Sequence, residues 1–236
     1  MSKLKKPSKV ATWRMFNEIA PRYDLVNRLM SFGMDQSWRR RMTSYLPKNQ
    51  DMTVLDVATG TGDVAILMQR TADVSRVVGV DMAEKMLDQG RQKLKTLQLD
   101  QAIELLEGDA TALPFPDGQF DAVSISFGIR NVESVPTALS EMARVLKPGG
   151  HVIILESSLP NNRIIRWFDL LYLRVIMPFL GGIISGNSAA YRYLNVSIEG
   201  FPYGEAFSQL LREAGFSTVT SYPQFMGVAT TYVGKK

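Results

Sequence analysis

The chain has 236 residues but no cysteine and a single histidine, His151. The first absence excludes disulfides, thiolate zinc ligands and a cysteine nucleophile, and it suits a reducing compartment. With one histidine, a transition-metal site would be nearly all carboxylate, and no acidic cluster is spaced for one, so no metal is expected. Long hydrophobic runs are also scarce. The start, MSKLKKPSKV, is basic but lacks the apolar segment of a secretory signal, which makes cytoplasmic the default and a bacterial rather than mitochondrial setting the expectation. The stretch WFDLLYLRVIMPFLGGIISG is interrupted by Asp169, Arg174, Pro178 and a glycine pair, unlike a spanning helix of about 20 apolar residues. Charge of one sign is not abundant, the formal net value being +4. It is nonetheless unevenly spread. Lys3, Lys5, Lys6 and Lys9 form a basic tail, and Arg39, Arg40 and Arg41 follow Trp38. Solvated surface charge accounts for both clusters; a basic rim facing anionic lipid is the second reading. No basic stripe is interleaved with aromatics, so nucleic acid is not an expected partner.

What the chain does have is 45% apolar residues, enough for one large core, and a regular alternation of elements. Residues 10–46 show helical spacing (Trp13, Phe16, Ile19, Ala20, then Leu25, Leu29, Met30) broken at Pro21, which predicts two or three helices capping a pocket. Strands follow at 53–58, 76–81, 102–107, 120–126 and 150–157, with helices at 62–71, 83–97 and 134–146. A helix near 204–214 precedes apolar runs at 216–222 and 226–233, which lack a helix between them and so predict a hairpin. The fold class read from this order is α/β: a Rossmann-like, seven-stranded, mostly parallel sheet with helices on both faces, a C-terminal antiparallel strand, N-terminal helices and an inserted helical lid. One domain is expected over 1–236, with cap helices in 1–50 and the lid in 160–203. Phe168, Leu171, Tyr172, Val175, Ile176 and Phe179 lie at helical spacing in that insertion. They are read either as an ordinary packed face or as a cover for an aromatic acceptor with an apolar tail. Exposed apolar residues there suit a membrane contact or a homodimer interface.

The most informative segment is VLDVATGTGD, residues 54–63. A β-branched run ends in Asp56, and Gly60, Thr61 and Gly62 then turn the chain into a helix. Without Cβ atoms the glycines let a ligand lie against the backbone. The third glycine of a dinucleotide fingerprint falls instead at Ala65. Asp81, 25 residues after Asp56, and Met82 close the second strand, where a carboxylate meets ribose hydroxyls. Dinucleotides and S-adenosylmethionine share that need. They part at the third strand, which ends in Gly108, Asp109 and Ala110: an acceptor for an exocyclic amine beside a flat apolar surface suits adenine. Ser126 ends the fourth strand on the same wall. Asp56 is read as orienting the glycine loop or meeting the cofactor's amino group.

With the closing RVLKPGGHVIILESS, this order resembles the class I S-adenosylmethionine-dependent methyltransferases. YDLVNRLMSFGMDQSWRR, LPFPDGQFDAVSISFGIRNV and AYRYLNVSIEGFP narrow it: from about residue 14 onward the chain is similar to the demethylmenaquinone and ubiquinone C-methyltransferase family. Asp35 stands where that family usually has histidine, while Trp38 and Arg39 remain in pattern. The resemblance implies S-adenosylmethionine as cofactor, a polyprenyl quinol as acceptor and peripheral contact with the inner face of the cytoplasmic membrane. Demethylmenaquinol is the expected acceptor, with the benzoquinol precursor of ubiquinol, or both, as the alternative.

Methyl transfer to a ring carbon needs water excluded and the adjacent hydroxyl deprotonated rather than a nucleophilic side chain. The resemblance implies that Asp63, Arg130 and Asn131 hold a water that acts as base, Asp63 accepting its proton and the other two favouring the oxyanion. Each has a structural alternative: Asp63 as a helix cap, Arg130 paired with Glu133 or Asp121, Asn131 in a turn. Tyr191, Tyr193 and Ser197 are further candidates for shaping the ring pocket. Lys147, Pro148, Gly149 and Gly150 read as a helix-to-strand turn, and His151 as structural. A nicotinamide oxidoreductase would also use the glycine turn and Asp81, but no Tyr-x-x-x-Lys pair or second substrate domain accompanies them. A non-catalytic binding protein on the same fold is the third possibility, opposed by Arg130, Asn131 and the intact pocket acids.

Overall fold

The computed structural model describes residues 9–71, 73–185 and 188–236, with side chains left undescribed at 9–11 and 183–191. Five strands run parallel: β1 (Met52–Val57), β2 (Val74–Asp81), β3 (Ile103–Glu107), β4 (Phe120–Ser126) and β5 (Leu146–Ser157). The hairpin β6 (Thr218–Gln224) and β7 (Ala229–Lys235) completes the sheet, with β7 antiparallel to both β5 and β6. The order is β3-β2-β1-β4-β5-β7-β6. It reverses between β1 and β4, and the crevice beyond the C-terminal ends of those strands is where such a sheet receives ligands.

The central strands read as continuous apolar runs because both faces are covered. Leu55, Val57, Val123, Ile125 and Val152 meet Leu139 and Met142 of α6 (Val135–Val145) and Phe207 and Leu211 of α10 (Glu205–Glu213) on one side. Val54, Val77, Ala122 and Ile153 face the other side with Met42 of α3 (Met34–Thr43), Val64 and Met68 of α4 (Asp63–Gln69) and Leu87 and Leu94 of α5 (Glu84–Thr96).

Three N-terminal helices form: α1 (Lys9–Ile19), α2 (Tyr23–Met30) and α3, with a 3₁₀ turn at Ala20–Arg22 around Pro21. The inward residues of α2 are Val26 and Met30, whereas Leu25 and Leu29 are exposed. The insertion forms α7 (Arg163–Leu171), α8 (Met177–Ser185) and α9 (Ser188–Gly200), and Val26 and Met30 pack with Leu173, Met177 and Ile198 to make a small roof core. A π-helical turn, Tyr172–Ile176, joins α7 to α8. Its extra residue rotates the helix face, so the predicted stripe does not stay on one side. Tyr172 lines the interior with Ile165, Leu173 and Met177, Phe168 borders the cavity while staying 60% exposed, and Leu171, Val175, Ile176 and Phe179 face outward.

The Lys147–Gly150 segment also differs from its expected form. It belongs to β5, because Gly149 N–H donates to Lys236 O and Lys236 N–H to Gly150 O, so the chain end continues the sheet. Lys147 pairs with Asp121 at 2.8 Å rather than with a helix end. His151 lies in β5, its Nδ1 3.5 Å from Tyr45 O.

Candidate active site

Two cavities meet above the switch point. The smaller, about 100 Å³, is walled by Gly60, Asp81, Met82, Met86, Asp109, Ala110, Ser126 and Val132 and closed by Thr12 and Trp13 of α1. The larger, about 650 Å³, lies under α2, α3 and the lid, within the size range of small-molecule sites. Phe16, Tyr23, Phe127 and Asn131 border both.

The glycine turn works as its composition suggests. Gly60 has φ +57, and its N–H donates to one oxygen of Asp81 at 2.8 Å, while Ala83 N–H donates to the other at 2.8 Å. Burial raises the Asp81 carboxyl above the usual range despite these bonds. Each oxygen keeps a lone pair for a further donor. Asp56 lies one layer below. Opposite Ser124 in the β1–β4 register, it accepts from Ser124 Oγ at 2.6 Å and Thr59 Oγ1 at 2.7 Å, and burial pushes its carboxyl to about 6. It borders neither cavity, so of its two expected uses the structure places it for holding the glycine loop through Thr59. Thr61 and Gly62 also stand back from both cavities, Thr61 donating to Asp24 at 2.7 Å. Gly128 lets the β1 and β4 loops approach closely: a Cβ there would meet Ala58 Cβ at 2.6 Å.

The residues of the smaller cavity fit an adenosyl group. Ser126 Oγ is buried without a hydrogen-bond partner in its wall, Asp81 retains acceptor capacity, and Met82, Met86, Ala110 and Val132 supply flat apolar surface. Asp109 accepts from Thr111 N–H at 3.0 Å and its hydroxyl at 2.9 Å through one oxygen.

Arg130 and Asn131 stand in the wall of the larger cavity, and Asn131 borders the smaller one as well. Arg130 is buried and paired with Glu156 of β5, not with Glu133 or Asp121, and it also donates to Phe127 O at 2.8 Å. Its Nε has no partner among the described residues. Asn131 Oδ1 accepts from Tyr193 Oη at 3.0 Å. Asp63 lies elsewhere. It borders neither cavity and is held between Lys93 Nζ, 2.6 Å away, and Arg39 Nη1, 3.0 Å away. Burial opposes ionisation there, but Lys93 and Arg39 outweigh it and hold the carboxyl below the usual range. Nor does its side chain cap α4. Ser197 donates to Leu194 O, and the Tyr191 side chain lies outside the described residues.

Several lining groups stand outside the residues expected to form the site. Arg39, whose Nε has no partner among the described residues, is buried beside Asp35, whose carboxylate accepts from Ser31 Oγ at 2.7 Å. Asp169 enters the larger cavity from α7, and its only mark in the sequence is an acid within an apolar run.

The model of the family described as the ubiE/COQ5 methyltransferase family matches residues 2–236. A demethylmenaquinone methyltransferase of Thermus thermophilus is 47% identical over 222 residues, covering 94% of this chain and all of that one. A Geobacter sulfurreducens protein described as ubiquinone/menaquinone biosynthesis C-methyltransferase is 44% identical over 94% of this chain and 87% of its own length. Among solved structures, a SAM-dependent methyltransferase of Thermotoga maritima superposes with a TM-score of 0.68, covering 95% of this chain and 99% of that chain at 20% identity, which shows the shared fold.

Proposed function

Because the chain belongs to the ubiE/COQ5 methyltransferase family, we propose that it uses S-adenosylmethionine to methylate a ring carbon of demethylmenaquinol, giving menaquinol. The observation that carries this reading is the junction itself: an apolar cavity of about 650 Å³ opens at Asn131 onto a cleft fitted for an adenosyl group. When bound, S-adenosylmethionine supplies a methyl group already activated on a sulfonium. The chain's own tasks are then to exclude water, to hold the ring carbon in line and to manage the hydroxyl proton.

Asp81, Ser126, Asp109 and the Gly60 backbone would hold the cofactor, with Met82 and Ala110 flanking its base. Phe16, Tyr23 and Phe127 form the aromatic collar between the cavities. Arg130 donates its free Nε–H, and Asn131 its amide, to the ionising quinol oxygen, where fixed donors favour the developing charge. Asp63 serves as a positioning residue: its carboxylate fixes Arg39, which reaches the same cavity. Glu156 does the same for Arg130.

A benzoquinol acceptor is the second reading, favoured by the printed description of the Geobacter relative. Turnover compared on naphthoquinol and benzoquinol acceptors of equal prenyl length tests the choice. A kcat/KM at least tenfold higher on the naphthoquinol is expected, and the reverse ratio overturns it. The outer face of the lid, with Ile164, Trp167, Val175 and Phe179 all more than half exposed, is proposed to rest on the membrane at its cytoplasmic side. Among the described residues no helix is long and apolar enough to cross a membrane. Co-sedimentation with anionic lipid vesicles supports that contact, whereas a stable dimer unaffected by vesicles assigns the face to a second copy.

A further inference from the structure

Removing a hydroxyl proton needs a base inside the larger cavity, and its acids have unequal freedom. Asp35 is engaged by Ser31 and Arg39. Glu156 lies behind the lining, bound to Arg130. Asp63 lies outside the cavity between two cations. Among the described residues the remaining carboxylate in the lining is Asp169 of α7, and its Oδ2 is buried without a hydrogen-bond partner among them. A carboxylate oxygen buried without a partner in an apolar wall costs stability and has no packing use there that leucine would not serve better.

We propose that Asp169 is the catalytic base that takes the proton from the quinol hydroxyl beside the carbon to be methylated, a role that rests on the quinol reading above. The O–H bond breaks toward oxygen, leaving a phenolate whose charge raises electron density at the neighbouring ring carbon, and the proton passes to the carboxylate. As the carbon–methyl bond forms, the carbon–sulfur bond breaks with its pair on sulfur. The ring then loses the hydrogen of the methylated carbon as a proton, and the oxygen takes back the proton held by Asp169, so the quinol is restored and one proton is released overall. Arg39 and Arg130 line the same cavity on the wall formed by α3 and the loop after β4, which brings two guanidinium groups beside the site of the phenolate.

Burial pushes the Asp169 carboxyl to about 6, so it is ionised at neutral pH yet a stronger base than an exposed aspartate. The other titratable groups among the described residues of the cavity are Tyr172 on the lid, Tyr193 on α9, Tyr23 at the start of α2, Asp35 with Arg39 on α3, and Arg130 after β4. Tyr172 donates its hydroxyl to Met30 O at 2.6 Å, and burial together with the Asp169 charge pushes its phenol pKa up, so it stays neutral and is not the base.

The test is Asp169→Asn in the full chain with a short-chain demethylmenaquinol. The expected result is a kcat about 100-fold lower at neutral pH, loss of the acid limb near 6 in kcat/KM, and S-adenosylmethionine affinity within twofold of the parent. Carbon-13 NMR should show two carboxyls titrating near 6, those of Asp56 and Asp169, and only one of them in the variant. Asp169→Ala rescued by added formate supports proton transfer over packing. A variant retaining more than a third of the parent kcat with the acid limb intact overturns the base while leaving the reaction standing. No quinol methylation by the parent chain overturns both.

Discussion

Neutralising Glu156 is the most informative single change. Glu156 and Arg130 side chains are 1% and 7% exposed, and the carboxylate accepts from the Arg130 guanidinium, from the Arg130 backbone at 3.4 Å and from Ser157 N–H at 2.7 Å. Glu156→Gln keeps the volume but leaves a guanidinium uncompensated in an apolar wall, and it turns an amide N–H₂ toward donors. Breaking one partner of such a buried pair costs about 3–5 kcal/mol. For a chain of this length that lowers Tm by roughly 6–20 °C. Replacing both partners, Glu156→Leu with Arg130→Met, removes the stranded charge and should return stability to within about 1 kcal/mol of the parent, since apolar replacements of similar volume are often neutral. Turnover should not return, because the donor to the quinol oxygen is gone. Thermal unfolding and methyl transfer measured on the same samples separate the two roles. A single variant melting within about 2 °C of the parent, or a double variant with near-parental turnover, refutes the reasoning.

Three further outcomes follow from the same geometry. Asp56 binds its proton more tightly folded than unfolded, so its contribution to stability is greatest below the ordinary carboxylate range and is lost as pH rises toward 6. Asp56→Asn should therefore gain on the parent in Tm between pH 4 and pH 7, as followed by melting curves across that range, and an unchanging difference would contradict it. Asp81→Asn should weaken S-adenosylmethionine binding by at least tenfold in calorimetry, because an amide cannot accept from both backbone N–H groups and a ribose hydroxyl. Gly128→Ala should cost roughly 1–3 kcal/mol in denaturant unfolding and reduce cofactor affinity with it, since its Cβ would collide with Ala58 and Ile125 at the joint of the two strand loops.

The sheet and the cofactor wall are legible in the sequence because both depend on local pattern. A strand's end, a glycine turn and an acid at the next strand's end occupy neighbouring positions once strands run parallel, so Gly60, Asp81, Asp109 and Ser126 fall together. The second cavity is assembled from remote pieces. Glu156 reaches Arg130 only because β5 lies beside β4, and Lys93 reaches Asp63 from α5 across 30 residues. Neither pairing has a local signature. The lid shows another limit: a stripe read at 3.6 residues per turn is carried off its face by the π turn at Tyr172–Ile176, which spacing alone does not reveal. Charge pattern alone reads Arg39 as one of three surface arginines, and only the family resemblance singles it out; Arg40 and Arg41 are exposed, whereas Arg39 is buried between Asp35 and Asp63.

The most direct test of the junction between the two cavities is the position of the transferred methyl. After incubation of the purified chain with methyl-labelled S-adenosylmethionine and demethylmenaquinol under reducing conditions, NMR of the extracted quinone should place the label on the ring carbon beside the hydroxyl, and Arg130→Ala should abolish most of that signal while cofactor binding persists. Label on a quinol oxygen, or full transfer by Arg130→Ala, would contradict the arrangement in which Arg130 stabilises an ionised quinol beside the adenosyl cleft.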